Sequence, residues 1–321
     1  MASATIDPEL EPILNALKEV WGGTAMDLSD LTAARQMHDA MSAQRNSSAA
    51  ITDGVETQRH LISNDQLGVE VEVYLHQPKE LPESARSALL HIHGGGYVTG
   101  SAAHAEPQLR ELAKRFNSVV VSVEYRLAPE HPFPAALFDC FSALQWLHNE
   151  ADTLNVDADK IVVFGESAGG GLAAGLSLYA RDHSEFRIAQ QILLYPMLDH
   201  NNIAPASEDN QDGIIWNRAN NKFGWAAYIG TGVDDSMLPY ASPSRAQDVS
   251  GLPPTYVCVG DIDLFYKESC SFVEQLQASS VTAELDVYPG AYHAFQVVVA
   301  EAKVSQKCLK KLDDVLRQAL A

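Results

Sequence analysis

One serine stands in unusual company. In the run KIVVFGESAGGGLAAGL, Lys160–Leu176, Gly165 precedes Ser167 by two residues, and Gly169, Gly170 and Gly171 follow it. A serine hydroxyl attacks a carbonyl carbon only if it projects from the fold and a base takes its proton. The flanking residues answer the first requirement. Ile161–Phe164 reads as a buried strand, while Leu172, Ala173, Leu176 and Leu178 begin a helix. Gly165-Glu166-Ser167-Ala168-Gly169 therefore lies at a strand-to-helix junction, the context that gives a G-x-S-x-G pattern chemical meaning. A sharp turn there thrusts the hydroxyl out of the sheet, with unfavourable backbone angles at Ser167. The glycines two residues before and after it relieve crowding where strand and helix nearly touch. A helix starting at the serine aims its free amides and positive dipole end at developing negative charge. Without those flanks the same five residues would be an ordinary glycine-rich turn.

The second requirement selects among 11 histidines. His91, His93, His104 and His131 precede the serine, whereas His293 lies in YPGAYHAF, directly after an apolar run. Catalytic groups gather at the carboxyl ends of strands in open α/β sheets. The preceding apolar run, in VCVGDIDLF, offers two acids, Asp261 and Asp263. The chain order Ser, Asp, His is that of α/β-hydrolases. In HIHGGGYVTGS, His91–Ser101, three successive glycines let backbone amides approach a substrate oxygen unobstructed. Amides of Gly94, Gly95 and Gly96, with that of Ala168, bracket a tetrahedral oxyanion in this reading. Each such donor is worth about 2.7–4 kcal/mol of barrier stabilisation. His91 and His93 lack a third ligand in sensible spacing, so neither a metal nor a cofactor is expected.

These residues need a scaffold. Short apolar runs, Ala88–His93, Ser118–Tyr125, Lys160–Gly165, Gln190–Pro196, Pro254–Gly260 and Ala283–Pro289, are separated by stretches of helical spacing. Continuous rather than alternating strands, each followed by a helix, indicate a mostly parallel sheet covered on both faces. Val69–His76 alternates at period two, as a half-buried antiparallel strand should. Residues 1–60 read as helical pieces, with Leu10, Ile13, Leu14 and Leu17 on one face. From about 199 to 239 the chain turns polar and irregular, yet carries Trp216, Phe223, Trp225 and Tyr228. An insertion this long with that many aromatics reads as a cap over the site. The expected organisation is an N-terminal helical cap segment, 1–60, and a catalytic domain, 61–321, holding the second cap insertion.

Bulk properties narrow the partners. With 22 basic and 42 acidic residues the net charge is −20, and no basic concentration exists to neutralise phosphates. Nucleic acid is therefore not expected. No window approaches eighteen uninterrupted apolar residues, so no membrane span is expected. The start, MASATIDPEL, has neither a basic nor an apolar signal region, which places the chain in the cytoplasm with reduced thiols. The four cysteines show no metal spacing, and Cys140, Cys258 and Cys270 sit among apolar neighbours as small buried hydrophobes.

From about Val69 onward the chain resembles the hormone-sensitive-lipase family of α/β-hydrolases, which contains many bacterial carboxylesterases. HGGGY (93–97), YRLAPEHPFPAAL (125–137), GESAGGGLA (165–173), YASP (240–243), GDIDLF (260–265) and YPGAYHAF (288–295) carry the resemblance together. It implies an eight-stranded sheet, Ser167 as nucleophile, Asp263 as orienting acid and His293 as base. It also implies the cap over an acyl pocket, with Tyr97, Trp216, Phe223 and Trp225 as candidate lining, and a small ester of short to medium acyl length as substrate. The family includes many dimers, which leaves a homodimer open. Two departures stand out: Glu166 occupies a position where the family more often has Asp or Thr, and LFYKE follows Asp263 in place of a PLRDE-like run. Two other activities share the scaffold. Arylformamidases cleave amides with the same glycine loop and elbow, and plant gibberellin receptors bind ligand after losing the base. Retention of His293 argues against the receptor.

Overall fold

A computed structural model describes residues 5–47, 52–80, 84–202 and 212–321. Within them, eight strands form one sheet: β1 Val55–Asn64, β2 Val69–Pro78, β3 Arg86–Ile92, β4 Val119–Glu124, β5 Val156–Glu166, β6 Gln190–Leu194, β7 Thr255–Gly260 and β8 Ala283–Tyr288. The order is β1-β2-β4-β3-β5-β6-β7-β8. β2 runs antiparallel to both neighbours, and all pairs from β4 to β8 are parallel. The helices are α1 Glu11–Trp21, α2 Leu31–Ser47, α3 Glu106–Phe116, α4 Ala135–Asn149, α5 Ala168–His183, α6 Arg218–Ile229, α7 Leu238–Ala241, α8 Tyr266–Ala278, α9 Phe295–Val298 and α10 Lys303–Ala319.

The continuous apolar strands are continuous because both faces are covered. Along β3, Ala88, Leu90 and Ile92 enter one core while Leu89 enters the other; Ile161 and Val163 of β5 likewise oppose Val162 and Phe164. The first core includes side chains of α4, α5 and α8, and the second those of α1, α3 and α10. Parallel pairing among β3–β8 then places the carboxyl ends of those strands on one edge, where β3, β5, β7 and β8 each release a loop.

β1 begins at Val55, inside the stretch read as helical. Its sequence, VETQRHLISN, is polar because an edge strand faces solvent on one side, and its ladder comes from β2. Cys308 on the apolar face of α10, rather than Cys270, joins Cys140 and Cys258 as fully buried; all four thiols are unpaired. The N-terminal segment meets the 199–239 insertion directly. Ala25 and Ile215 form a parallel bridge, the Ile215 amide donates to Thr24 O (2.8 Å), and Asn220 Nδ2 donates to Met26 O (2.9 Å). Residues 1–4, 48–51 and 203–211 of these two segments lie outside the described residues. Among the described residues no helix is long and apolar enough to cross a membrane.

Candidate active site

Ser167 sits between β5 and α5 with φ +55° and ψ −119°, a conformation that side-chain-bearing residues rarely hold. Such strain, of order 1–3 kcal/mol, persists only where neighbours over-determine it. Here the Ser167 amide donates to Leu194 O (2.9 Å), and its carbonyl accepts from Gly171 N (3.1 Å) and Met197 N (3.0 Å). The crowded glycines follow from the same turn. A Cβ on Gly165 would lie 2.2 Å from Gly169 O, and one on Gly169 would lie 2.0 Å from Ile92 O. Strand, turn and helix touch here with no room for a methyl group.

The Ser167 hydroxyl meets the His293 imidazole across the sheet edge. Ser167 Oγ lies 2.9 Å from His293 Nε2, and Asp263 Oδ2 lies 2.8 Å from His293 Nδ1. A carboxylate only accepts, so Nδ1–H is the donor in the second contact, leaving the Nε2 lone pair of the neutral ring for the serine proton. All three residues are buried. The rings of Tyr195 (4.7 Å) and Phe265 (5.2 Å) approach the imidazole nearly edge to face and hold its plane. Asp263 Oδ1 accepts the Phe265 amide at 2.9 Å. Asp261, the other acid of the pair, faces away: its Oδ1 accepts the Gly290 amide (2.7 Å) and pins the turn that leads to His293.

Gly94, Gly95 and Gly96 follow β3. A Cβ on Gly94 would stand 3.3 Å from Ser167 Cβ, so the loop lies against the serine. Gly95 O accepts the amides of Val98 and Thr99 and the Thr99 hydroxyl, which folds the loop back on itself. Among the described residues, none of the turn and loop hydrogen bonds uses the amides of Gly94, Gly95, Gly96 or Ala168 as donors, and no side chain caps the start of α5. The YRLAPEHPFPAAL block braces this loop from behind. Tyr125 Oη donates to His93 O (2.9 Å), the Ala128 amide to Tyr97 O (2.9 Å), and Arg126 grips the buried Asp139 with two nitrogens.

The aromatic candidates separate. The Trp216 ring presses on Gly96, where any Cβ would fall within 1.9 Å of it. Tyr97 and Trp225 are buried and pack against Tyr228, Tyr97 stacking on it at 3.9 Å; Phe223 is half-buried beside the larger core. Sequence reasoning missed the support beneath the elbow. Glu166 Oε2 lies 3.0 Å from His91 Nε2, and His91 Nδ1 lies 2.8 Å from Ser122 Oγ, with the imidazole almost wholly enclosed. The departure at Glu166 was the available signal, but its partner stands 75 residues away. His93 is occupied differently, its Nδ1 bonded to Gly94 O (2.8 Å) and its ring stacked on Tyr125; burial draws its pKa down to about 3.

Sheet order, strand-to-helix serine and histidine at the carboxyl edge together define an α/β-hydrolase. A family model described as alpha/beta hydrolase fold matches residues 89–297. The chain is 29% identical to carboxylesterase NlhH of Mycobacterium tuberculosis over 315 residues, covering 96% of this chain and 97% of that one. It is 33% identical to esterase LipI of the same organism over 251 residues, covering 75% and 77%. A solved bacterial heroin esterase superimposes with a TM-score of 0.90 at 34% identity, covering 99% of this chain and 98% of the other. The chain belongs to the hormone-sensitive-lipase-like family of α/β-hydrolases. It is a carboxylic ester hydrolase whose substrates are small-molecule esters.

Proposed function

We propose that Ser167, His293 and Asp263 hydrolyse short- to medium-chain carboxylic esters through an acyl-enzyme. His293 Nε2 removes the Ser167 proton as Oγ attacks the ester carbonyl. Amides of the glycine loop, with that of Ala168, hold the resulting oxyanion. The tetrahedral intermediate collapses, His293 returns the proton to the departing alcohol, and the acyl group stays on Ser167. Water then attacks the acyl carbon, giving its proton to the same imidazole, and the carboxylic acid leaves. Asp263 fixes the ring tautomer and stabilises its charged form. The N-terminal segment and the 199–239 insertion act as the cap, and Trp216 beside the glycine loop shortens the space for the acyl chain.

The observation that carries this reading is the single imidazole bridging Ser167 Oγ and Asp263. Ser167→Ala should abolish hydrolysis of p-nitrophenyl butyrate and labelling by a fluorophosphonate, with near-UV circular dichroism unchanged. Retained turnover in a folded Ser167→Ala protein would sink the assignment. An acyl-length series with a maximum at long chains would overturn the size preference, and faster turnover of N-formylkynurenine than of esters would move the activity to the amide class.

A further inference from the structure

The cap segment carries a second cluster of chemistry-bearing side chains, away from the serine. His38 and Asp39 are consecutive on α2, and His104 lies in the 3₁₀ turn Ala102–Ala105 that follows the glycine loop. One donor atom from each of the three lies within 4.8 Å of the other two. Asp39 Oδ1 is 3.0 Å from His104 Nε2, and the two imidazoles meet edge to face with centroids 4.9 Å apart. Ligand atoms on one metal ion stand at most about 4.4 Å apart, since metal–nitrogen and metal–oxygen bonds are each about 2.0–2.2 Å, so the trio would draw slightly together around an ion.

An ordinary histidine–aspartate pair accounts for one of these contacts and leaves the rest unexplained. Nδ1 of His38 and Nδ1 of His104 are both buried, and neither has a hydrogen-bond partner among the described residues. Buried polar atoms are rarely left so, and each such orphan calls for a water or an ion to complete it. The turn that carries His104 is held in place. Glu124 Oε2 accepts the Ala102 amide (2.8 Å) and the Ser101 hydroxyl (2.9 Å), and Asn46 Nδ2 of α2 donates to His104 O (3.2 Å).

We propose that His38, Asp39 and His104 bind a borderline divalent cation of the zinc, nickel or cobalt class, fastening α2 to the turn behind the glycine loop. Two imidazoles and a carboxylate favour these ions over magnesium or calcium, which take oxygen ligands. Three protein ligands leave a coordination position to water.

The test is titration of ZnCl₂ into EDTA-treated, full-length protein by calorimetry, paired with thermal unfolding. One equivalent should bind, raising Tm by roughly 5 °C at a hundredfold excess over Kd, while CaCl₂ should not. His38→Gln, His104→Gln and Asp39→Asn should each weaken binding at least tenfold. His60→Gln, on β1, and Ser167→Ala should bind as the parent does. No saturable zinc binding by the parent, or binding undiminished in two folded variants of the trio, would overturn the proposal. Circular dichroism identifies the folded variants, and Asp39→Asn, whose side chain is largely exposed, decides if either histidine variant fails to fold.

Discussion

Replacing Gly96 by alanine tests whether cap and glycine loop are fitted to each other. Gly96 has φ +60°, and a Cβ there would lie 1.9 Å from Cη2 and 2.4 Å from Cζ2 of Trp216. Carbon atoms rest at about 3.5–4.0 Å, so ring and loop must part by roughly 1.6 Å or more. The ring is not free to leave. Its Nε1 donates to Asn221 Oδ1 (3.2 Å), Asn221 Nδ2 donates to Asn202 O (2.6 Å), and the neighbouring Ile215 is bonded to the N-terminal segment. The left-handed backbone adds about 1–2 kcal/mol for a residue with a side chain. Overpacking adds about 1–3 kcal/mol, so Gly96→Ala should lose roughly 2–5 kcal/mol of stability in urea unfolding. If the loop yields instead of the ring, the oxyanion amides move, and kcat on p-nitrophenyl butyrate should fall by about 10²–10³-fold. Trp216→Leu supplies the control, because leucine does not reach the new methyl group. In that background Gly96→Ala should lose only the backbone part, a coupling of about 1–3 kcal/mol. Equal losses in both backgrounds would show that the indole is not what the methyl meets. A folded variant with unchanged kcat would show that the Gly96 region does not contact the reacting ester.

Two further outcomes follow from the geometry. Asp263→Asn should lower kcat about 10⁴-fold with little change in KM, because the amide presents a donor to Nδ1 and favours the wrong tautomer; Asp261→Asn, which touches only the Gly290 amide, should lose less than about tenfold. Equal losses from the two variants would remove the distinction between orienting acid and turn pin. Acid should weaken the fold through His76 and His93, whose pKa values burial draws down to about 3. The unfolded chain protonates them near pH 6.5 while the native state does not, so stability is intact above that pH and lost progressively toward pH 3. Between pH 6.5 and 5 the two together should remove about 3 kcal/mol from the unfolding free energy measured in urea. A flat profile over that interval would contradict it, and His76→Gln should make the slope shallower.

Residues 167, 263 and 293 were legible because each sits in a motif that carries its own local geometry. A strand-like run ends, a turn containing glycine follows, and the candidate side chain comes next; no knowledge of neighbouring strands is needed to see that. The inner strands from β3 to β7 were legible for a related reason, since burial on both faces leaves apolar runs in them. β1 was not, because an edge strand borrows its ladder from β2 and its own residues need only suit water. The network under the elbow was hidden more deeply. Glu166 ends β5, His91 lies in β3 and Ser122 in β4, and the three come into line only because the sheet order places β3 between the other two. His91 pairs in register with Ser122 on one side, and its neighbour Ile92 pairs with Gly165 on the other. A glutamate at this position has the extra methylene that lets its carboxylate extend from the elbow toward the adjacent strand, where a buried imidazole waits. The departure from the family pattern is therefore a lateral fit between strands rather than a change in the chemistry at the serine. Chain order records the turn that aims the Ser167 hydroxyl; the brace beneath it exists only in the order of the strands.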